Sequence, residues 1–191
     1  MFLNLYPSGK LRDHARLKLS KLRKKAKEKE RMASLTQRIP EGSSGGRHSS
    51  DGRYTDNGDG TITDSQTGLM WTKKDSYADT GGCMDWNDSK RYVRDLTTGE
   101  YSDWRMPTVK ELKAIYEESK NNKNFEGTTI HSDPIFASGG AYWYWSSETA
   151  VLGCNIINLR VCARYVYFND GSTFKGFRDL CYLGGVRAVR R

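Results

Sequence analysis

The first candidate for chemistry is an acidic, glycine-rich stretch, Asp56-Asn57-Gly58-Asp59-Gly60, whose oxygen-bearing side chains are of the type that calcium prefers. A calcium loop of the EF-hand kind needs carboxylates at its first and twelfth positions and a glycine at its sixth. With Gly60 in the sixth position, Thr55 occupies the first and Gln66 the twelfth. Because both carboxylates are missing, the stretch predicts no calcium site.

The four cysteines are the second candidate for chemistry, as metal ligands, as nucleophiles or as disulfides. They are Cys83, Cys154, Cys162 and Cys181. No pair has the CxxC spacing, and no histidine lies close enough in sequence to complete a zinc site. We therefore expect no metal and no cofactor, while the sequence neither requires nor excludes disulfides.

The elements that position these residues begin with a hairpin. Asn57-Gly58 and Asp59-Gly60 favour the positive φ angles of a tight β-turn, with strand-forming residues on both sides, Arg53–Thr55 and Thr61–Thr63. Thr67-Gly68 predicts a second turn before the apolar Leu69–Trp71.

Two helices are predicted next. Asp85 caps the first, which extends to about Leu96, and Thr108 with Glu111 has the spacing of a capping box at the start of the second, which extends to about Ser119. Between them, Trp104 is expected to be buried. We interpret Arg105 as the partner of a nearby carboxylate rather than as an anion-binding residue.

From Tyr142 onward the pattern is typical of β-strands. Ala163–Phe168 predicts a strand with Val166 and Phe168 on one side and Tyr165 and Tyr167 on the other. A turn is predicted at Asn169–Gly171. A final strand is predicted at Val186–Arg190, with Val186, Ala188 and Val189 as its core residues.

Charge divides the chain into two domains, residues 1–50 and residues 51–191. The first carries 13 Lys and Arg against 4 Asp and Glu, although the whole chain has a net charge of +8, so the second is near neutral. A Leu and Ala stripe predicts a helix from about Lys10 to about Met32, followed by a Gly/Ser linker. This basic arm is interpreted as a solvated tail, as a helix that docks or oligomerises, or as a binder of nucleic acid or another anionic polymer.

Targeting signals give little information about location. No run of apolar residues is long enough to span a membrane, and the first ten residues lack the apolar core of a signal peptide. We therefore expect a protein that stays in the cytoplasm, is associated with a virion or is exported by a non-classical route. The sequence leaves the oligomeric state open.

Five motifs in sequence order resemble one known family. They are YTDNGDGTITDSQTGLMW (54–71), YSDWRMPTVKEL (101–112), YWSSET (144–149), ARYVYFNDG (163–171) and VRAVR (186–190). Together they resemble the C-terminal domain of the Legionella collagen-like (Lcl) adhesin family, over residues 53–191 and not over the arm. The resemblance implies an α+β, C-type-lectin-like fold, with two helices against small, mostly antiparallel sheets, and a non-enzymatic module that binds partners at a surface.

Some proteins of this fold class are the variable proteins of diversity-generating retroelements, in which adenines of a template copy are randomised. Asn codons then become codons of the NNY type, which encode no Trp, Met, Gln, Lys or Glu. The stretches 151–162 and 177–185 contain only residues that NNY codons encode, cysteines included, and Lys175 would belong to the framework. An alternative is a plain apolar strand or core loop, with cysteine as a small buried residue.

This hypothesis predicts a scaffold and a ligand-binding surface. The scaffold consists of buried residues, namely Trp71, Trp104, Trp143, Trp145, Val166, Phe168 and Val186. The surface is rich in Tyr and Phe, which give large contact area with few rotors to freeze. Its predicted residues are Leu152, Ile156, Ile157 and Leu159 on a rim formed by 151–159, together with Tyr165, Tyr167, Asp170, Ser172, Phe174, Phe177, Arg178, Leu180, Cys181 and Tyr182.

Three functions follow from these observations. The first is a display protein that binds a protein or glycan partner on a cell or virus surface through a diversified segment. The second is an adhesin-like module of fixed specificity for polysaccharides, which the near-neutral charge of 51–191 disfavours for sulfated ones. The third, an enzyme of the related formylglycine-generating kind, requires a reactive cysteine pair that no motif here matches.

Overall fold

The computed structural model describes residues 46–150 and 161–191. The predicted helix of the basic arm lies outside the described residues, as do the four predicted rim residues Leu152, Ile156, Ile157 and Leu159.

The described residues form eleven short strands in three sheets. The strands are β1 (Arg47–His48), β2 (Tyr54–Asp56), β3 (Thr61–Asp64), β4 (Leu69–Thr72), β5 (Asn122–Lys123), β6 (Thr129–Ile130), β7 (Trp143–Ala150), β8 (Cys162–Tyr167), β9 (Thr173–Phe177), β10 (Gly184–Gly185) and β11 (Val189–Arg190). One sheet has the order β1-β2-β3-β4-β11, a second the order β10-β7-β8-β9, and the third pairs β5 with β6. All pairs are antiparallel except β10 with β7.

The first sheet contains the predicted hairpin. Strands β2 and β3 pair with Asp56 opposite Ile62, and Gly58 and Gly60 have φ angles of 85° and 89° between them. Gly68, in the second predicted turn, has a φ of 68° and precedes β4. The stretch that resembled a calcium loop is therefore a hairpin turn, as predicted.

In the part of the chain that the structure describes, three α-helices lie between the sheets in sequence: α1 (Ser76–Thr80), α2 (Trp86–Arg94) and α3 (Val109–Ala114). Asp85 caps α2 through the Asp88 N–H, and Thr108 with Glu111 forms the predicted capping box of α3. Helix α1 was not predicted, because five residues are too few to produce a helical periodicity. None of these helices has the length and apolarity that crossing a bilayer requires.

Helix α3 ends five residues earlier than predicted, at Ala114 rather than Ser119. From Ala114 onward, backbone groups form hydrogen bonds with residues that are distant in sequence instead of helical ones. The Ala114 carbonyl accepts a hydrogen bond from the Arg53 guanidinium at 2.8 Å, and the Glu117 N–H donates to the His131 carbonyl at 3.0 Å. These contacts replace the next helical turn, and no local signal encodes them.

The predicted final strand, Val186–Arg190, is only partly a strand. Val189 and Arg190 pair with β4. Upstream, the Val186 N–H donates to Ser76 Oγ at 2.9 Å and the Ala188 N–H donates to Thr72 Oγ1 at 3.2 Å. Side-chain acceptors therefore replace the expected ladder. The predicted core residues Val186, Ala188 and Val189 are nevertheless completely buried.

Two apolar clusters form the core. One lies between the first sheet, α3 and the inner side of β8, and includes Trp71, Leu112, Val166 and Phe168. The other contains Trp86, Trp104, Trp143, Trp145 and Val186. Every predicted scaffold residue is buried in one of the two clusters. The domain is thus of the α+β class, with few helices and small, mostly antiparallel sheets.

A buried ion pair joins the chain's last segment to the start of α1. Arg187 and Asp75 are 1% and 0% exposed, and Arg187 Nη2 lies 3.1 Å from Asp75 Oδ2. The Tyr144 hydroxyl donates to the same oxygen at 2.7 Å, and the Arg187 guanidinium also donates to the Lys73 carbonyl at 2.7 Å. Because its charges are paired and hydrogen-bonded, this network holds three distant segments in one arrangement.

Candidate ligand-binding surface

The β8–β9 hairpin sorts the predicted surface residues onto two sides. Side chains alternate along a strand, and Tyr165 of β8 lies directly opposite Phe174 of β9. Their ring centroids are 5.9 Å apart, and Phe174 also contacts Tyr167 with a centroid distance of 5.7 Å. The hairpin therefore brings Tyr165, Tyr167 and Phe174 together on one side, as predicted.

Two residues of the following segment extend this surface. Leu180 Cδ2 would lie 3.4 Å from a Cβ built at Gly176, and the Tyr182 carbonyl accepts a hydrogen bond from the Trp143 indole N–H at 2.8 Å. We call the set Tyr165, Tyr167, Phe174, Leu180 and Tyr182 the aromatic face. Tyr182 is 68% exposed, Phe174 47% and Leu180 38%, and these are three of the four large apolar side chains exposed in the described part of the chain.

Two buried tryptophans of β7 lie beside the aromatic face on the same side of the sheet, since Trp143 is opposite Tyr167 and Trp145 is opposite Tyr165. The Trp143 ring lies 4.4 Å from that of Tyr165, and Trp145 packs edge-on against Tyr165 at 5.4 Å. Both indole N–H groups donate to backbone carbonyls, those of Tyr182 at 2.8 Å and Met84 at 3.1 Å. Since their polar atoms are satisfied, the tryptophans form an apolar support that holds the outer rings in place.

Burial raises the pKa of Tyr165 and of Tyr167 above the ordinary value for tyrosine, and Tyr182 and Asp170 raise that of Tyr167 further. Both phenols are therefore neutral at physiological pH. The aromatic face offers ring surface and hydroxyl groups rather than charge.

Sequence reasoning missed Gly176 as a determinant of this surface. A Cβ at this position would lie 2.9 Å from Tyr165 Cε1 and 3.3 Å from Trp145 Cη2. Only a glycine lets the Tyr165 ring lie across β9. A glycine in the interior of a strand often marks such a close approach, and that signal was present in the sequence.

The backbone of residues 178–185 is attached to the scaffold by main-chain and tryptophan groups. The Trp86 N–H donates to the Arg178 carbonyl at 2.9 Å, the Tyr142 N–H to the Leu183 carbonyl at 3.2 Å and the Met84 N–H to the Gly184 carbonyl at 3.1 Å. The Trp143 indole N–H donates a hydrogen bond to the Tyr182 carbonyl. None of these hydrogen bonds uses a side chain of the segment itself.

A disulfide adds a covalent attachment. Cys181 is bonded to Cys83, which precedes α2, across a sequence separation of 98 residues. Cys162 is disulfide-bonded as well. The structure thus places Cys181 in a crosslink beside the aromatic face.

The other predicted surface residues are not among the side chains that form the aromatic face. Phe177 is on β9 at the alternate parity to Phe174, so it belongs to the other side of the sheet. Asp170 and Ser172 form the hairpin turn, where Asp170 Oδ1 accepts the Ser172 N–H at 2.9 Å. Arg178 stacks on Trp86, with its Cζ 4.1 Å from the ring centroid.

Trp104 and Arg105 agree with their prediction. Trp104 is 5% exposed, and both terminal nitrogens of Arg105 bond Glu111, at 2.9 and 2.6 Å. The hydrogen bond from Arg105 lowers the pKa of Glu111 to about 2. Among the described residues, no cluster of His, Cys, Asp and Glu has the arrangement of a metal site.

The sequence of the domain matches a known protein family. Residues 60–190 match the family model described as the Lcl C-terminal domain. The resemblance that the five motifs indicated is thereby confirmed. No curated protein sequence matches the chain.

Proposed function

The chain belongs to the Lcl C-terminal domain family, and from this premise we propose that residues 51–191 form a C-type-lectin-like module that binds a protein or glycan partner through the aromatic face. No enzymatic activity is known for this family. Residues 1–50 would serve as an arm that connects the module to a partner or an anionic polymer.

The observation that carries the proposal is the exposure of large rings on a rigid support. Tyr182 and Phe174 expose 68% and 47% of their surface, although burial would stabilise each ring by about 2 kcal/mol. Trp143 and Trp145 contact the Tyr165 ring, against which Phe174 packs. Rigid, exposed aromatic side chains are typical of the residues that dominate binding energy in interfaces.

We further propose that the segment carrying the aromatic face is diversified by a retroelement. Hydrogen bonds from the scaffold hold the backbone of 178–185 through its carbonyl groups. Side chains at the exposed positions Leu180 and Tyr182 can change without loss of these bonds. Gly184 and Gly185 cannot, because a Cβ there would lie 2.3 Å from the Trp143 ring and 2.7 Å from Ser76 Oγ. Cys181 is a further exception, because replacing it would leave Cys83 without its partner.

Sequencing of the gene's flanking DNA tests the diversification. We expect a reverse transcriptase gene and a near-copy of the segment from about residue 150 to about residue 190, with mismatches only at adenines. If flanking DNA contains no such copy, the aromatic face belongs to a module of fixed specificity.

Binding is tested with the full chain on printed glycan arrays and on protein arrays. The triple variant Phe174→Ser, Leu180→Ser, Tyr182→Ser should lose the signals of the unmodified protein and lose no more than about 2 kcal/mol of unfolding free energy, because all three side chains are exposed. Lys175→Ser is the matched control, since Lys175 is the neighbour of Phe174 on the opposite side of β9.

The outcome separates the candidate functions. Signals that the triple variant retains in full would refute the aromatic face as the binding site. Signals confined to sulfated polysaccharides, abolished by salt and retained by residues 51–191 without the basic arm would favour the fixed-specificity adhesin instead, because charge-driven binding is screened by salt.

A further inference from the structure

A recess lies outside the aromatic face, between α2 and the segment that leads to α3. It has a volume of about 590 Å³ and shares no lining residue with the aromatic face. One wall is α2, whose residues Trp86, Lys90 and Val93 lie on one helix face because they are spaced by four and three positions. The opposite wall includes Trp104 and Met106. We call this recess the α2 cleft.

The floor of the α2 cleft is apolar and aromatic. Its indole N–H groups are occupied, since Trp86 Nε1 donates to the Ser146 carbonyl at 2.8 Å and Trp104 Nε1 donates to the Thr98 carbonyl at 3.1 Å. Trp86 and Trp104 line the recess with the small part of their surface that is exposed, 7% and 5%, because Arg178 stacks on the Trp86 ring and the core covers the rest. Val93 and Met106 add aliphatic surface. Such a floor suits an aromatic or branched aliphatic group.

The rim of the α2 cleft is positively charged. Lys90, Arg94 and Arg105 line it, and none of its described lining residues is acidic. Arg94 is paired with Asp95 and Arg105 with Glu111. Lys90 has no carboxylate partner among the described residues, and its ammonium lies 5.6 Å from the Trp86 ring centroid. One cation at the rim is thus available to a ligand.

We propose that the α2 cleft is a second binding site, specific for a small amphipathic carboxylate. The apolar group of the ligand contacts Trp86 and Trp104, and its carboxylate accepts a hydrogen bond from Lys90. Arg94 and Arg105 lie at the same rim, and each is paired with a carboxylate, so among the described residues Lys90 supplies the unpaired charge. The hydroxyl groups of Ser102, Thr108 and Ser147 lie in the same lining and supply further donors.

The test compares naphthylacetate with its neutral analogue naphthylacetamide, each titrated into the full chain and followed by the indole N–H signals in NMR. We expect saturable shifts of the Trp86 and Trp104 signals. Naphthylacetate should bind about tenfold more tightly than the amide at low salt, as a single charge-assisted hydrogen bond at a partly exposed site implies. The preference should shrink at high salt because the rim charges are screened.

Two variants test whether Lys90 causes the preference for naphthylacetate over the amide. Lys90→Gln should bring the affinity for naphthylacetate down to that for the amide, while leaving the amide's affinity unchanged. Lys113→Gln, which removes an exposed lysine on α3 outside the lining, should change neither. Both replaced lysines are on the surface, so neither substitution should impair folding.

Three results would overturn the proposal. The first is equal binding of acid and amide to the unmodified protein. The second is the absence of saturable shifts at Trp86 and Trp104. The third is a response centred on Trp143 and Trp145, which would place the probe on the aromatic face rather than in the α2 cleft.

Discussion

The shape of the aromatic face depends on the space and the backbone conformation at individual residues. Gly176 leaves room for the Tyr165 ring, which in turn supports Phe174 at a centroid distance of 5.9 Å. Leu183, which follows Tyr182, has a φ of 55°, a left-handed conformation that is uncommon for a side chain of its type. Such local conformations concentrate at functional sites, where the surrounding structure holds them.

Gly176→Ala should displace the Tyr165 ring, because the new methyl group would lie 2.9 Å from Tyr165 Cε1 and 3.3 Å from Trp145. We expect a loss of about 1 kcal/mol of unfolding free energy, typical of overpacking, measured by urea denaturation. Gly82→Ala is the control, since a Cβ there meets no atom within 4 Å. An unchanged stability in Gly176→Ala would mean that Tyr165 is not confined by β9.

Glu111 is expected to make stability depend on pH. The hydrogen bond from Arg105 lowers its pKa from 4.5 to about 2 in the folded protein. A carboxyl group with a depressed folded pKa stabilises the fold above its unfolded pKa, and this contribution is lost as the pH falls from about 4.5 towards about 2. Glu111→Gln should therefore flatten the pH profile of the urea midpoint in that window.

The same variant keeps the capping box of α3, because a glutamine side chain can still accept the Thr108 N–H, but it loses the ionic contact with Arg105 at every pH. The comparison therefore concerns the slope of the profile and not its height. An equal slope in both proteins would contradict the assignment to Glu111.

At the scale of elements, the segment 178–185 is attached to the start of α2 and to β7 while it carries exposed side chains. Its carbonyl groups accept from Trp86, Met84, Tyr142 and Trp143, and the Cys83–Cys181 disulfide closes the arrangement. The hydrogen bonds come from scaffold groups, whereas Cys181, the neighbour of Tyr182, attaches the segment through its own side chain. These bonds hold the segment 178–185 in one position although most of it has no regular secondary structure.

Removing this disulfide in the double variant Cys83→Ser, Cys181→Ser should lower the unfolding free energy by about 2–4 kcal/mol, since a crosslink across 98 residues restricts the unfolded chain. Binding signals on the arrays should weaken as well, because Leu180 and Tyr182 flank the crosslink. Urea denaturation and array binding measure the two effects. A loss of stability without any loss of binding would show that the hydrogen bonds alone position the segment.

At the scale of the whole molecule, the two apolar clusters are joined by the buried Arg187–Asp75 pair. Arg187 lies with its Cζ 4.7 Å from the Phe136 ring centroid and 5.4 Å from that of Tyr144, and its neighbours Val186 and Ala188 belong to the second cluster. The chain's last residues thereby connect β4, α1 and β7. The support beside the aromatic face depends on this connection.

Arg187→Met should lower the unfolding free energy by about 3–5 kcal/mol, because it leaves the Asp75 carboxylate buried without its cation. The double variant Arg187→Met, Asp75→Asn should recover part of this loss. The control is Arg94→Met, which breaks an exposed pair with Asp95 and should not change stability measurably. Thermal or urea unfolding decides the comparison, and equal losses in both single variants would exclude the buried charge as the cause.

Local signals in the sequence predicted much of this domain. Asn57-Gly58 and Asp59-Gly60 specify their hairpin, Thr108 and Glu111 specify the start of α3, and alternation in β8 separates Tyr165 and Tyr167 from Val166 and Phe168. Each of these features depends on residues within a few positions of one another. That is the range over which turn chemistry, capping and strand periodicity act.

Only the tertiary structure decided the rest. The end of α3, the shortened final strand, the pairing of Cys83 with Cys181, the burial of Arg187 and the α2 cleft all depend on residues that are far apart in sequence. No local pattern encodes such a contact, because the partner's identity is set by how the sheets and helices pack. The sequence therefore determined the turns, the helix starts and the sides of the strands, whereas packing determined which exposed rings and cations share a surface.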